Sequence, residues 1–174
     1  PSVPLDARAP ALITYTSGTT GRQKGVINSH SSVHAALMSN LAESTIDRDT
    51  VVSCVLPLFH CAQYASTGAF LMAGCRNVLF RGFDAERVLD AIEQERITHF
   101  TGLPLMYAAI LASPTRAQRD LSSLQFCVYG MAPMPRPMLE KLIAELCPNF
   151  SLGTGQTEVF PVTARFRSEE QLRR

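Results

Sequence analysis

The residues from Tyr15 to Gly25 crowd hydroxyls, glycines and a cation into one short segment: Thr16, Ser17, Gly18, Thr19, Thr20, Gly21 and, after Arg22 and Gln23, Lys24. Such a set suits phosphate. Glycine lets the backbone approach an anion and take up positive φ, Ser and Thr supply hydroxyl donors, and Lys adds a mobile positive charge. The rival reading is an ordinary Ser/Thr/Gly-rich turn between two strands. The spacing excludes a Walker A loop, because Lys24 stands between Gln23 and Gly25 rather than in a Gly-Lys-Ser/Thr triplet. It also excludes the dinucleotide fingerprint, since the segment holds no G-x-G-x-x-G.

Positioning such a loop takes a rigid frame, and the flanking pattern supplies one. Residues 11–15 read as an apolar strand, so the loop leaves a strand end, where open α/β sheets place ligands. Residues 25–29 read as a second strand, making the loop a hairpin tip. Ser31 is the expected cap of a helix through about Ser44, with Val33, Ala36, Leu37, Asn40 and Leu41 on one face. Strands are then expected at 50–56, 77–80, 98–101, 124–129 and 150–152, the last plausible core strand. Helices are expected at 61–73, after an Asp84 cap, at 103–112, and from Pro135 in a first turn to Leu146. The alternation predicts an α/β layered domain with a largely parallel sheet flanked by helices. Gly130 and Gly153, each following a strand, are candidates for the same rim as the loop. Residues 114–120 read as a polar surface loop and 168–174 as a charged, helix-like tail.

Composition narrows the function further. A chain of 174 residues with 46% hydrophobic content can bury a substantial core. Its net charge of +1, with both signs mixed along the chain, leaves no electrostatic footprint for nucleic acid. Cys54, Cys61, Cys75, Cys127 and Cys147 form no C-x-x-C pair and lie in or beside apolar stretches, which suits free thiols in a reducing compartment. His60 beside Cys61 lacks a second ligand cluster of zinc-like spacing. No apolar stretch approaches bilayer-spanning length, so a cytoplasmic location is expected. The start at Pro1 and the charged tail are both consistent with a piece of something longer.

Three separated segments share an order: Thr16 to Gly21 with Lys24, then Tyr129-Gly130-Met131-Ala132-Pro133, then Gly153-Thr154-Gly155-Gln156-Thr157-Glu158. Together with Pro57-Leu58-Phe59-His60 and Gly102-Leu103-Pro104-Leu105-Met106-Tyr107, they resemble the adenylate-forming (AMP-binding) superfamily, nearest its acyl-CoA synthetases. The resemblance spans nearly the whole chain and implies the central portion, 1–174, of the family's large N-terminal domain, with the C-terminal lid absent. It implies ATP held at its β and γ phosphates by Ser17, Gly18, Thr19, Thr20, Gly21 and Lys24, with Thr16 beside them. Gly130, Met131, Ala132 and Pro133 would wall the adenosine, and Thr154, Gly155 and Gln156 would also bind the nucleotide. Thr157 would donate to the α-phosphate or carboxylate, Glu158 would bind Mg²⁺, and His60 would gate the acyl or CoA site. Two departures stand out. Gln23 replaces the family's usual Pro, and Thr154 an aromatic that stacks on adenine.

The implied reaction joins a carboxylic acid to ATP as an acyl-adenylate, releasing pyrophosphate; the thiol of CoA then displaces AMP. Catalytic roles would fall to Lys24, His60, Thr157 and Glu158, in positioning and charge neutralisation rather than as nucleophiles. Apolar residues near His60, Tyr107 and Met131 favour a fatty or aromatic acid over an amino acid. Alone, the segment is expected not to complete the reaction, and self-association is expected of it. The alternatives are a stand-alone nucleotide- or adenylate-binding module, a fragment of a peptide-synthetase adenylation domain, and a scaffold.

Overall fold

A computed structural model describes residues 4–18, 21–160 and 162–173. Strands β1 (Pro10–Thr16) and β2 (Lys24–Ser29) pair antiparallel, with Ile13 opposite Ile27 and Thr16 opposite Lys24. Among the described residues this hairpin is a sheet of its own and shares no strand ladder with the main one. The loop therefore sits on a separate ribbon rather than on an end of the parallel sheet. Helix α1 (His30–Ala42) follows directly, and its cap is Ser29, not Ser31. The Ser29 hydroxyl accepts the Ser32 N–H at 3.2 Å, while Ser31 only shares a hydrogen bond with it.

The main sheet contains β3 (Val51–Cys54), β4 (Arg76–Leu79), β5 (His99–Gly102), β6 (Phe126–Gly130), β7 (Phe150–Gly155) and β8 (Val162–Arg167). Its order is β4-β3-β5-β6-β7-β8, parallel throughout except for β8, which runs antiparallel to β7. Sequence reading ended the sheet at residue 152. Residues 162–167 escape that reading because Thr, Arg and Arg interrupt their apolar positions, as suits a strand at the sheet edge. The glycines of β6 and β7 lie inside the ladder, with Gly130 paired to Gly153.

Side chains alternate across a sheet, so each strand feeds two layers. One layer holds the main core. There Phe100, Cys127, Tyr129 and Phe150 meet α3 (Ala85–Glu95), α4 (Pro104–Ala112) and α5 (Arg136–Glu145) through Val88, Leu89, Ile92, Tyr107, Ile110, Leu139 and Leu142. Tyr107 is fully buried, and its hydroxyl donates to the carbonyls of Phe100 and Val128, tying β5 to β6. It is a core residue, as its apolar helix implies. The opposite layer is thinner. Here α1 and α2 (Cys61–Met72) pack together, and Cys61, Ala65 and Phe160 form a small cluster with Leu12, Val33 and Leu37.

Helix α3 shows how local sequence sets these boundaries. The Asp84 carboxylate accepts the Arg87 N–H, and the helix ends at Arg96, which takes a left-handed φ of 53° more usual for glycine. Arg96 also pairs with Asp120 at 2.6 Å. The segment expected as a plain loop holds a 3-10 turn, Arg116–Gln118, and is fastened to α3 by Arg119 bonded to Asp90 at 2.6 Å. The short α6 (Ser168–Leu172) closes the described chain. Among the described residues no helix is long and apolar enough to cross a membrane.

Candidate functional site

A cleft of about 510 Å³ opens beyond the C-terminal ends of β6 and β7 and runs down the thinner face of the sheet under α2. Parallel strands present their ligand-binding edge there. One wall is Gly130, Met131, Ala132 and Pro133; the facing wall is Gly153, Thr154, Gly155, Gln156 and Thr157. His60 and Cys61 border it from the start of α2, and Phe70, His99 and Phe126 lie at its deep end. Two of the three sequence-distant segments thus meet in one cavity.

Close backbone packing makes the mouth. A Cβ on Gly130 would stand 2.5 Å from the Gly153 carbonyl oxygen, so only glycine permits this approach of β6 and β7. The next residue, Met131, sits at φ 65°, a left-handed conformation rare for a bulky side chain, and is 55% exposed at the mouth. Strain of this kind gathers where a fold holds a loop in a set shape.

On the facing wall, the 3-10 turn Thr157–Val159 ends at Phe160, also left-handed at φ 43°. Phe160 is 2% exposed and meets Tyr64 of α2 edge-on at 5.8 Å, which anchors the turn. The Cys61 thiol reaches the Thr157 hydroxyl at 3.7 Å. Thr157 is thereby held toward the cleft while its neighbour Glu158 stays exposed.

The hydroxyl-rich loop approaches from the hairpin. Gly18 has φ 68°, and a Cβ there would fall 1.9 Å from the Arg22 carbonyl oxygen, so the tight return of the loop requires glycine. The Gly21 N–H donates to the Gly18 carbonyl at 3.3 Å, and Thr16 and Lys24 close the ribbon as a register pair. Ser17 and Lys24 are exposed, and Thr19 and Thr20 lie outside the described residues. Neither Lys24 nor Glu158 borders the cleft itself. The strand that begins at Lys24, β2, packs against the 157–159 turn.

His60 has a visible structural duty: its Nδ1 accepts the Ala62 N–H at 3.2 Å and caps α2. Among the described residues no group of three or more His, Cys, Asp or Glu could cage a metal. Glu158, the expected Mg²⁺ ligand, is an exposed carboxylate outside any such group.

Sequence reasoning missed several lining residues. His99 carries no functional signal in the sequence, yet it is 3% exposed at the deep end, hydrogen-bonded through Nδ1 to Thr98 at 2.8 Å and flanked by Phe70 and Phe126. Burial pushes its pKa down, favouring the neutral imidazole. Asn40 and Ser44 reach the cleft from α1 and the turn after it, and Arg165 from β8. Periodicity placed Asn40 on the inward face of its helix, whereas nothing marked Arg165, because its strand was not read.

An open, mostly parallel sheet flanked by helices, with a cavity at its C-terminal edge and a glycine-rich hairpin beside it, defines a nucleotide-binding class of α/β domain. The whole chain, residues 1–174, matches the AMP-binding enzyme family, and it belongs to that family. It is 35% identical over 162 residues to a feruloyl-CoA synthase of an Amycolatopsis species, covering 92% of this chain and 33% of that protein. The chain thus spans about a third of the length of the curated relatives it matches. Among solved structures, the N-terminal domain of FACL13 from Mycobacterium tuberculosis superposes with a TM-score of 0.93 at 29% identity, over 99% of this chain and 43% of that one. O-succinylbenzoate coenzyme A synthetase from Bacillus subtilis, in complex with ATP and magnesium ion, gives 0.87 at 25% identity, over 97% and 35%. The fold is that of the N-terminal domain of adenylate-forming enzymes.

Proposed function

We propose that this segment forms the nucleotide and acyl cleft of an ATP-dependent, AMP-forming acid:CoA ligase. The observation that carries the reading is the junction of Gly130 to Pro133 with Gly153 to Thr157 around one 510 Å³ cavity, large enough for a drug-sized ligand. Family membership and the ATP and magnesium of one structural neighbour support it.

In this reading Gly130, Ala132 and Pro133 leave a flat slot for adenine and ribose, walled on the other side by Thr154, Gly155 and Gln156. Ser17, Gly18, Gly21 and Lys24, with Thr19 and Thr20, hold the β and γ phosphates. Thr157 donates its hydroxyl to the α-phosphate, its other contact being the Cys61 thiol. Glu158 holds Mg²⁺, which when bound neutralises triphosphate charge. His60, at the mouth, separates the adenylate from the approach of CoA. The acid lies in the deeper part of the cavity, over Phe70 and Phe126, and its fatty or aryl character follows from those apolar walls. The chain's own contribution is positioning and charge neutralisation, which suits a reaction whose nucleophiles both come from substrates.

The segment covers 43% of the matched N-terminal domain structure. The experiment is a panel of fatty and aryl acids assayed for acid-dependent AMP release by the longer protein that contains residues 1–174. Release with at least one acid, lost in Lys24→Ala and Glu158→Gln, is the expected result. Release that survives both substitutions contradicts the site assignment.

A further inference from the structure

Arg165 is, among the described residues, the one Lys, Arg, Asp or Glu side chain on the wall of the cleft. Its guanidinium offers five N–H donors. Nη1 donates to the Glu43 backbone carbonyl at 3.2 Å and Nη2 to the Asn40 side-chain oxygen at 3.4 Å, both of them neutral acceptors. Nε is buried without a partner, and no described carboxylate lies within ion-pair distance. The charge is only partly offset, by the negative end of α1 and by the Glu43 carboxylate, which is exposed and borders a second hollow on the far side of Arg165. Burial accordingly pulls the guanidinium pKa below its ordinary value. A cation that is half withdrawn from water and faces a ligand cavity without an anion is a costly feature unless a ligand supplies one.

We propose that Arg165 selects acids bearing a second carboxylate, remote from the one that is activated. This rests on the ligase reading above. The register bears on where that group would lie: Arg165 pairs with Gly153, which pairs with Gly130, so its Cα is two strand spacings, roughly 10 Å, across the sheet from Gly130. The spacing fits a dicarboxylic acid of about six to ten carbons, or an aryl acid with a carboxylate on the far side of its ring. Asn40 and Ser44, on the same flank, add neutral polar groups beside it.

The test uses the longer protein containing this chain, and compares kcat/KM for linear dicarboxylic acids with that for monocarboxylic acids of equal length. The wild type is expected to prefer the diacid by about 10- to 100-fold, the range of a charge-assisted hydrogen bond. Arg165→Leu should invert that preference by lowering the diacid and raising the monoacid, and Arg165→Lys should keep part of it. Equal or better use of monoacids by the wild type overturns the proposal even if Arg165→Leu fails to fold. Silence with every acid of either kind overturns the ligase reading first, so the two failures are distinguishable.

Discussion

The pair Gly130 and Gly153 offers a sharp test, because the two glycines face each other across β6 and β7 and differ in what a methyl group would meet. On Gly130 a Cβ would lie 2.5 Å from the Gly153 carbonyl oxygen. Ordinary carbon contacts begin near 3.5 Å, so the strands must part by about 1 Å or twist, against a ladder that also carries the cleft mouth. Overpacking of that size costs about 1–3 kcal/mol. On Gly153 the nearest atoms are the Val128 Cγ1 at 3.8 Å and the Tyr129 carbonyl oxygen at 3.9 Å, both at normal contact distance. Gly153→Ala should therefore fold almost normally. Thermal unfolding of the two variants beside the wild type reads the difference. At about 2–4 °C per kcal/mol for a chain of this size, Gly130→Ala should fall by about 2–12 °C and Gly153→Ala by far less. Both methyl groups intrude on the cleft, so AMP release by the longer protein should suffer in each, whereas only the first is unstable. Equal stability of the two variants would refute the geometry of the β6–β7 junction.

Other expectations follow from the same coordinates. Tyr107→Phe leaves the carbonyls of Phe100 and Val128 without their buried hydroxyl donor and should cost about 1–3 kcal/mol in urea unfolding. Leu89→Ala, in the fully buried core, should cost about 2–5 kcal/mol by the same measurement. Asp120 titrates at about 2, against an ordinary value of 3.8, because the Ser122 hydroxyl and N–H bond its carboxylate and Arg96 lies beside it. Its folded pKa is depressed, so its stabilisation is present above pH 3.8 and lost as the pH falls toward 2. Asp120→Asn should thus be less stable than the wild type at neutral pH, with the gap closing over that window in a pH series of unfolding curves. Gly18→Ala meets the Arg22 carbonyl oxygen at 1.9 Å, while Gly21→Ala meets nothing within 4 Å and pays only for its φ of 82°. Nucleotide affinity measured by calorimetry should fall further in the first.

Much of this was legible in the sequence because local signals and long-range packing agree. The Asp84 cap, the apolar face of Val88, Leu89 and Ile92, and the order of strands and helices all appear in the fold at their expected places. So does the meeting of Gly130 to Pro133 with Gly153 to Thr157, since parallel strands deliver their C-terminal ends to one rim. Other features depend on tertiary context that periodicity does not carry. Strand β8 reads as polar, and it is a strand because the edge of β7 needs a partner. The separation of the hairpin from the main sheet has no sequence mark at all, and neither does the packing of β2 against the 157–159 turn. Arg165 was invisible for the same reason as its strand. A cation among Ala and Phe looks like any exposed charge until the register sets it beside Gly153.

In the proposed function one cleft binds a nucleotide and a carboxylic acid for joint reaction. The most direct measurement is acid-dependent AMP formation, in the presence of MgATP and CoA, by the longer protein containing this chain. AMP should form in step with the added acid, with Lys24→Ala and Glu158→Gln reduced by about 100-fold or more, the scale of losing a transition-state charge contact. No AMP from any fatty, aryl or dicarboxylic acid, by a folded protein that still binds MgATP, would contradict it.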